Sequence, residues 1–351
     1  MKKLLLLALL AYSVTAQAQD TRARLETLIS GPEGFKAKHP SAGFSIGVIR
    51  GDSVYYFATG STPSGLPINE RTIFEIGSLT KPFTGLLLAL EITKKHIGKN
   101  DFIDQWLPKD VRLQTSIRHK IKMTDLGSHQ SGLPNFNDDQ YIIDMFKKDP
   151  EQPFRNASKR YLFAVLQRTD SLKNHGSYAY SNYAFALLGQ LLANSRHQSY
   201  ATLLSHSVLE PIQLKNTSLN MVPGIPIAGR YDDNNAVKPG MIINAMTPAG
   251  GLHSNAMDMI SFLKVQIDPP KNQFGRAIRL SQEIFYQDKD LGVGLGWEMQ
   301  NGHTEKTGDT WGNSSMLSFN PASGTGVVVL CDHRDSQLVR DITTAVWEQL
   351  K

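Results

Sequence analysis

Ser78 and Lys81 stand three residues apart in the stretch Phe74 to Thr84, just ahead of an apolar run from Leu86 to Leu90. At the start of a helix that spacing puts both side chains on one face of the first turn, so an amine can reach a hydroxyl. The pair is then a nucleophile beside its base, and the positive end of the helix suits an oxyanion developing near Ser78. The same two residues also fit a helix-capping serine with a solvated lysine one turn on. Two further groups carry chemistry-bearing types. Tyr180-Ser181-Asn182 follows Gly176 and precedes a helical pattern with Phe185, Leu188 and Leu191 apolar; here Asn182 reads equally as an N-cap and Tyr180 as a packing ring. Lys306-Thr307-Gly308 ends a strand pattern at a glycine turn, where an edge-strand lysine would also serve.

The elements that must position these groups can be read from periodicity. Residues 21–38 predict a helix through Leu25, Leu28 and Ile29, broken at Gly31-Pro32. Phe44 to Arg50 and Ser53 to Ala58 predict a hairpin joined at Gly51-Asp52, and Gly60 to Glu70 is rich in turn formers. From 99 to 248 helical spacing dominates, in Met123 to Gly127, Ala157 to Gln167, Tyr183 to Asn194 and Tyr200 to Leu209. Gly250 to Val265 opens on a Gly-Gly turn and continues as a helix. Strand patterns return in Leu291 to Gln300, His303 to Thr307, Ser314 to Asn320 and Thr325 to Cys331, before an amphipathic helix over Ser336 to Leu350. The expected fold class is α+β: an antiparallel sheet built from both chain ends, flanked by helices, with a mostly helical insertion. As organisation this predicts one domain over 19–351, its sheet part being 19–98 and 249–351 and its helical part 99–248.

Bulk properties narrow the function. The chain has 351 residues, with 37 Lys and Arg against 32 Asp and Glu, a net charge of +5. The basic residues are scattered, so no nucleic-acid footprint is expected. Met1-Lys2-Lys3, the apolar run Leu4 to Leu10 and Ala16-Gln17-Ala18 describe a cleavable secretory signal over 1–18, too short in its apolar part to span a bilayer. An exported protein, periplasmic or secreted and without an integral membrane span, is the expectation. Cys331 is the only cysteine, which excludes a disulfide within the chain. His129, His253 and His303 are too dispersed for a ligand motif, so neither metal nor cofactor is expected.

In order, Ser-x-x-Lys, Tyr-x-Asn and Lys-Thr-Gly resemble the penicillin-recognising serine hydrolases, the pattern of class C β-lactamases, D-alanyl-D-alanine carboxypeptidases and related esterases. Leu126 to Pro134, Pro248 to Leu252 and Leu295-Gly296-Trp297 also look like stretches of this family. The resemblance implies an acyl-enzyme on Ser78, with Lys81 as base and Tyr180 as shared acid/base. It implies that Asn182 fixes Lys81 and the substrate amide, that Lys306 and Thr307 orient an anionic or polar substrate end, and that the backbone N–H groups of Ser78 and Asp309 form the oxyanion hole. The partner would be a small-molecule β-lactam, or else a D-amino-acid peptide or an ester, acted on by a monomer; a penicillin-binding sensor without turnover is the non-enzymatic alternative. Three positions depart from the class C pattern and bear on selectivity: Asp309, whose carboxylate could repel that of a β-lactam, Phe136 in place of an amide side chain, and Asp332-His333-Arg334 after the final strand.

Overall fold

The structure, a computed structural model, describes residues 18–135, 140–221 and 224–351. The proposed signal, apart from Ala18, and Phe136 lie outside the described residues. Helix α1 runs over 18–30 and stops at Gly31; after a turn only the single helical turn α2 (Phe35–Lys38) follows, so the helix predicted over 21–38 is two pieces. The hairpin forms as expected, β1 (Phe44–Arg50) pairing antiparallel with β2 (Ser53–Thr59) across a turn in which Gly51 has φ +56°.

Next come the short β3 (Phe74–Glu75) and α3 (Thr80–Thr93), the helix that carries Lys81. The helical stretch contains α4 (Met123–Gly127), α5 (Gln140–Lys148), α6 (Lys159–Arg168), α7 (Asn182–Ser195), α8 (Tyr200–Leu204) and α9 (Glu210–Ile212). Then follow α10 (Thr247–Gly250), β4 (His253–Ser254), which pairs with β3, α11 (Ala256–Ile267) and α12 (Gln273–Ser281). The chain closes with β5 (Tyr286–Gln287), β6 (Gly292–Val293), β7 (Glu298–Gln300), β8 (His303–Asp309), β9 (Ser314–Asn320), β10 (Thr325–Cys331) and α13 (Ser336–Leu350).

These strands make one antiparallel sheet of eight, in the order β2-β1-β10-β9-β8-β7-β6-β5. The first hairpin is thus stitched beside the last strand, with Val48 opposite Val327. Period-two alternation sends β1 and β10 residues to two different cores. Phe44, Ile46, Val48, Val327, Val329 and Cys331 pack under α1 and α13. Ile49, Val328 and Leu330, with Leu317 and Phe319 of β9, pack on the opposite face, against α3 and α11. There Phe83 stacks on Phe262 at 4.0 Å, and Trp297 is wholly buried. Each such side chain contributes about 1.5–3 kcal/mol by leaving water, and this burial holds α3 to the sheet.

The single strand predicted over Leu291 to Gln300 is instead β6 and β7, separated by a turn. Gly296 has φ +83°, and a Cβ there would lie 2.6 Å from the Lys81 carbonyl carbon. The turn presses against α3, a packing constraint that alternation in the sequence does not reveal. No helix among the described residues is long and apolar enough to cross a membrane.

Candidate active site

Ser78 lies in a 3-10 turn, Gly77 to Leu79, that leads directly into α3. Lys81, one turn later, is fully buried. Its Nζ donates to Ser78 Oγ at 2.8 Å, to Asn182 Oδ1 at 2.7 Å and to the Ala249 carbonyl at 2.7 Å. An ammonium has three donors, and all three are directed. The Tyr180 hydroxyl lies 2.7 Å from Ser78 Oγ on the other side, so the serine hydroxyl sits between an amine and a phenol.

The alternatives left open by sequence are resolved by which residue caps α7. Ser181, not Asn182, is the N-cap: its Oγ accepts the Ala184 N–H at 3.0 Å. That frees the Asn182 amide for Lys81. The loop before it is fixed by His129, whose Nδ1 accepts the Ser181 N–H at 3.0 Å and whose ring lies 4.5 Å from that of Tyr180. His129 is buried, and desolvation followed by the charges of Lys306 and Lys81 holds its pKa well below the ordinary histidine value. It is therefore a neutral positioning group.

Strand β8 supplies Lys306. A Cβ on Gly308 would lie 2.3 Å from the Ile76 carbonyl oxygen and 2.9 Å from the Leu79 nitrogen. Only glycine lets the strand touch the Ser78 turn, which is the physical content of Lys-Thr-Gly. Lys306 Nζ stands 4.7 Å over the Tyr180 ring and pairs with Glu298 Oε1 at 2.5 Å. Tyr178 donates to the same oxygen at 3.2 Å. Glu298 was not among the sequence candidates. It directly follows the Leu295-Gly296-Trp297 stretch, but its contact with Lys306 depends on the register that sets β7 beside β8.

Thr307 and Asp309 alternate to the other face of β8. The Thr307 hydroxyl accepts from Arg340 of α13 at 3.1 Å, and the Asp309 carboxylate accepts from Ser314 at 2.5 Å and Ser336 at 2.8 Å. The substrate contact expected of the Thr307 hydroxyl and the repulsion expected of the Asp309 carboxylate are thus not where these groups point. Ser78 and Asp309 nevertheless line one cleft of about 190 Å³, with Asn182, Gly250, Trp311 and Arg334. Phe146, Phe154, Met241, Ile243 and Met246 make its remaining wall apolar.

Electrostatics follow from this geometry. Burial depresses the Lys81 pKa to about 8, with Lys306 adding to the fall while Tyr180 and Glu298 oppose it. Burial would raise the Tyr180 phenol, but Lys81 and Lys306 together more than offset it and lower its pKa. Lys306 goes the other way. Desolvation works against its charge, yet Tyr180 and Glu298 raise its pKa, so it remains a cation.

The departures at the end of β10 take separate places. Asp332 is buried and accepts the Gly43 N–H at 2.7 Å, and His333 holds Asp332 through Nδ1 at 2.6 Å and Asn235 through Nε2 at 3.0 Å. Together with Cys331 these form the one three-residue group of potential metal ligands among the described residues, but both ring nitrogens are already engaged. Arg334 alone of the three reaches the Ser78 cleft.

The chain is similar to known proteins. A family model described as Beta-lactamase matches residues 29–351. A protein named Beta-lactamase from Psychrobacter immobilis is 24% identical, covering 93% of this chain and 88% of its own. Another of that name from Pseudomonas fluorescens is 25% identical over 90% of this chain and 94% of its own. Penicillin-binding protein 4* of Bacillus subtilis (strain 168) is 27% identical over 57% of this chain and 42% of its own.

Proposed function

The chain belongs to the beta-lactamase family of penicillin-recognising serine hydrolases, and on that premise we propose that it opens β-lactam amides, in the manner of class C enzymes, through an acyl-enzyme on Ser78. The observation that carries this reading is the Ser78 hydroxyl held at 2.8 Å from a buried amine and 2.7 Å from a phenol. Neutral Lys81 takes the Ser78 proton as Oγ attacks the carbonyl. With its pKa near 8, roughly one-tenth of Lys81 is neutral at pH 7. The tetrahedral oxyanion is received by the backbone N–H groups of Ser78 and Asp309. Collapse breaks the C–N bond, and the proton passes from Lys81 through Tyr180 to the leaving nitrogen. Water then attacks the ester and restores Ser78 Oγ–H. Asn182 holds Lys81 and the substrate amide, while Lys306, with Arg334 at the rim, meets the anionic end of the substrate.

A second reading, hydrolysis of a D-amino-acid peptide or an ester, is favoured by the aromatic and aliphatic wall of Phe146, Phe154, Met241, Ile243 and Met246, which suits an apolar acyl group. Under either reading the protein acts as a monomer, exported to the periplasm or secreted once its signal is cleaved. Mass spectrometry of the protein mixed with penicillin decides the central point. The expected result is a transient adduct of one penicillin on Ser78, decaying over minutes with product accumulating. An adduct elsewhere, or none with penicillin, a stem-peptide mimic or an aryl ester, would sink the Ser78 reading. Nitrocefin turnover measured beside D-alanine release separates the two substrate classes.

A further inference from the structure

Two segments of chain give the Ser78 cleft most of its apolar wall. Phe146 of α5 and Phe154 of the loop after it meet edge to face at 5.3 Å. Met241 and Ile243 come from a stretch that belongs to no helix or strand. The backbone groups of such a stretch still need partners where water is excluded, and here side chains supply them. The Gln152 amide, 4% exposed, donates through Nε2 to the Gly240 carbonyl at 2.8 Å and accepts the Ile242 N–H on Oε1 at 2.9 Å. The Met241 N–H turns the other way and donates to Glu75 Oε1 at 2.9 Å.

Backbone groups bonded alternately to two sides are the pattern of a strand between two neighbours, and Gln152 and Glu75 stand where those neighbours would be. Met241 and Ile243, two residues apart, accordingly share the cleft wall, while Ile242 between them is 43% exposed. Each anchor is itself fixed. Gln152 lies two residues before Phe154; its own N–H donates to Asp149 Oδ1 at 3.0 Å, and its carbonyl accepts the Arg155 N–H at 3.0 Å. Glu75 belongs to β3, three residues before Ser78. A Cβ on Gly240 would lie 3.1 Å from Glu75 Oε1, so a glycine there lets the stretch come close to the carboxylate. Gln152 thus ties the aromatic half of the wall to the aliphatic half, and Glu75 ties both to the turn that carries the nucleophile.

The cleft bounded in this way lies on the acyl side of the reaction. Asn182, which holds the substrate amide, is in its lining; Tyr180, which hands the proton to the leaving nitrogen, is not. A cavity of ~150 Å³ walled by aliphatic and aromatic side chains accepts benzene. The cleft, at about 190 Å³, has room for one such ring. We propose that Gln152 and Glu75 are positioning residues for acyl-group selection: by suspending Met241 and Ile243 beside Phe146 and Phe154 they size the cleft for an acyl group that carries one aromatic ring. Both roles rest on the acyl-enzyme reading at Ser78 and add to it which acyl group is taken.

The test compares para-nitrophenyl phenylacetate with para-nitrophenyl acetate, which share a leaving group and differ by the ring. Each kcat/KM is taken relative to that ester's hydrolysis by hydroxide, and the ratio of the two cancels any loss of folded protein. In the intact protein the ratio is expected to favour the phenylacetate by at least about tenfold, a difference of about 1.4 kcal/mol. Gln152→Met keeps an unbranched side chain of similar size and removes both hydrogen bonds, and it is expected to lower the ratio by about tenfold. Glu75→Met removes the acceptor of the Met241 N–H and should act likewise, which decides the matter if Gln152→Met does not fold. Glu75→Gln keeps a carbonyl acceptor there and should retain the native ratio. Equal values for the two esters, a native ratio in folded Gln152→Met or Glu75→Met, or a ratio lost as fully in Glu75→Gln as in Glu75→Met overturns the assignment. Ser78→Ala separates premise from inference: nitrophenolate release that survives it sinks the nucleophile and the selection with it, whereas release that depends on Ser78 but shows no preference sinks the selection alone.

Discussion

At the scale of single residues the site is a set of charges that tune one another, and their signs make a test. Lys306 lowers the pKa of both Lys81 and Tyr180, whereas Glu298 raises that of Lys81. If neutral Lys81 is the base, kcat/KM should climb with pH, about tenfold per unit at low pH, and level off near 8. Lys306→Met removes a cation, so the inflection should move to higher pH. Glu298→Gln removes an anion, so the inflection should move to lower pH. A pH-rate profile for the two variants checks both, and shifts of the same sign would refute the arrangement. Of these residues Ser78, Lys81, Tyr180, Asn182 and Lys306 were legible in the sequence because each group sits in a short motif on one element. Glu298, the capping Ser181 and the His129 clasp on the Ser181 N–H were not assigned, because their roles exist only once separate segments meet.

At the scale of elements, the site depends on α3 lying flush against the turn between β6 and β7. Gly85, inside α3, marks the tightest point: a Cβ there would come within 1.9 Å of the Leu295 carbonyl oxygen. In an isolated helix Gly→Ala would stabilise by roughly 0.5–1 kcal/mol. Here the clash with backbone reverses the sign. Gly85→Ala is expected to destabilise by about 1–3 kcal/mol, the usual range for overpacking, visible as a lower midpoint in thermal or urea melts. It should also reduce activity in the remaining folded protein, since Lys81 is one turn away; an unchanged or higher midpoint would show that the contact is loose. Here the limits of reading a sequence are plain. Alternation over Leu291 to Gln300 is real, but the close approach of Gly296 to Lys81 breaks the strand, and α12 follows Pro269-Pro270 with too short an apolar pattern to stand out.

At the scale of the whole molecule, β10 is the seam. It lies between β1 from the start of the chain and β9 from its end, and its two faces belong to the two cores. The larger core runs without interruption from Phe83 of α3 through Tyr183 and Leu188 of α7 to Leu330 of β10, so the sheet and the helical insertion share one interior. We therefore propose that 19–351 unfolds as a single cooperative unit rather than as two subdomains. Cys331 offers a reporter for this. It is the only thiol in the chain, wholly buried at the end of β10 and paired across both edges, to Phe44 and to Ser314. Burial, then the Asp332 charge, pushes its pKa far above the ordinary thiol range, so the native thiol is unreactive. A thiol reagent should label it only through opening of the sheet, at a rate that rises with urea in step with loss of helical circular dichroism and of enzymatic activity. If the helical insertion were an independent unit, circular dichroism would fall at lower urea than Cys331 labelling rises, and the two curves would separate.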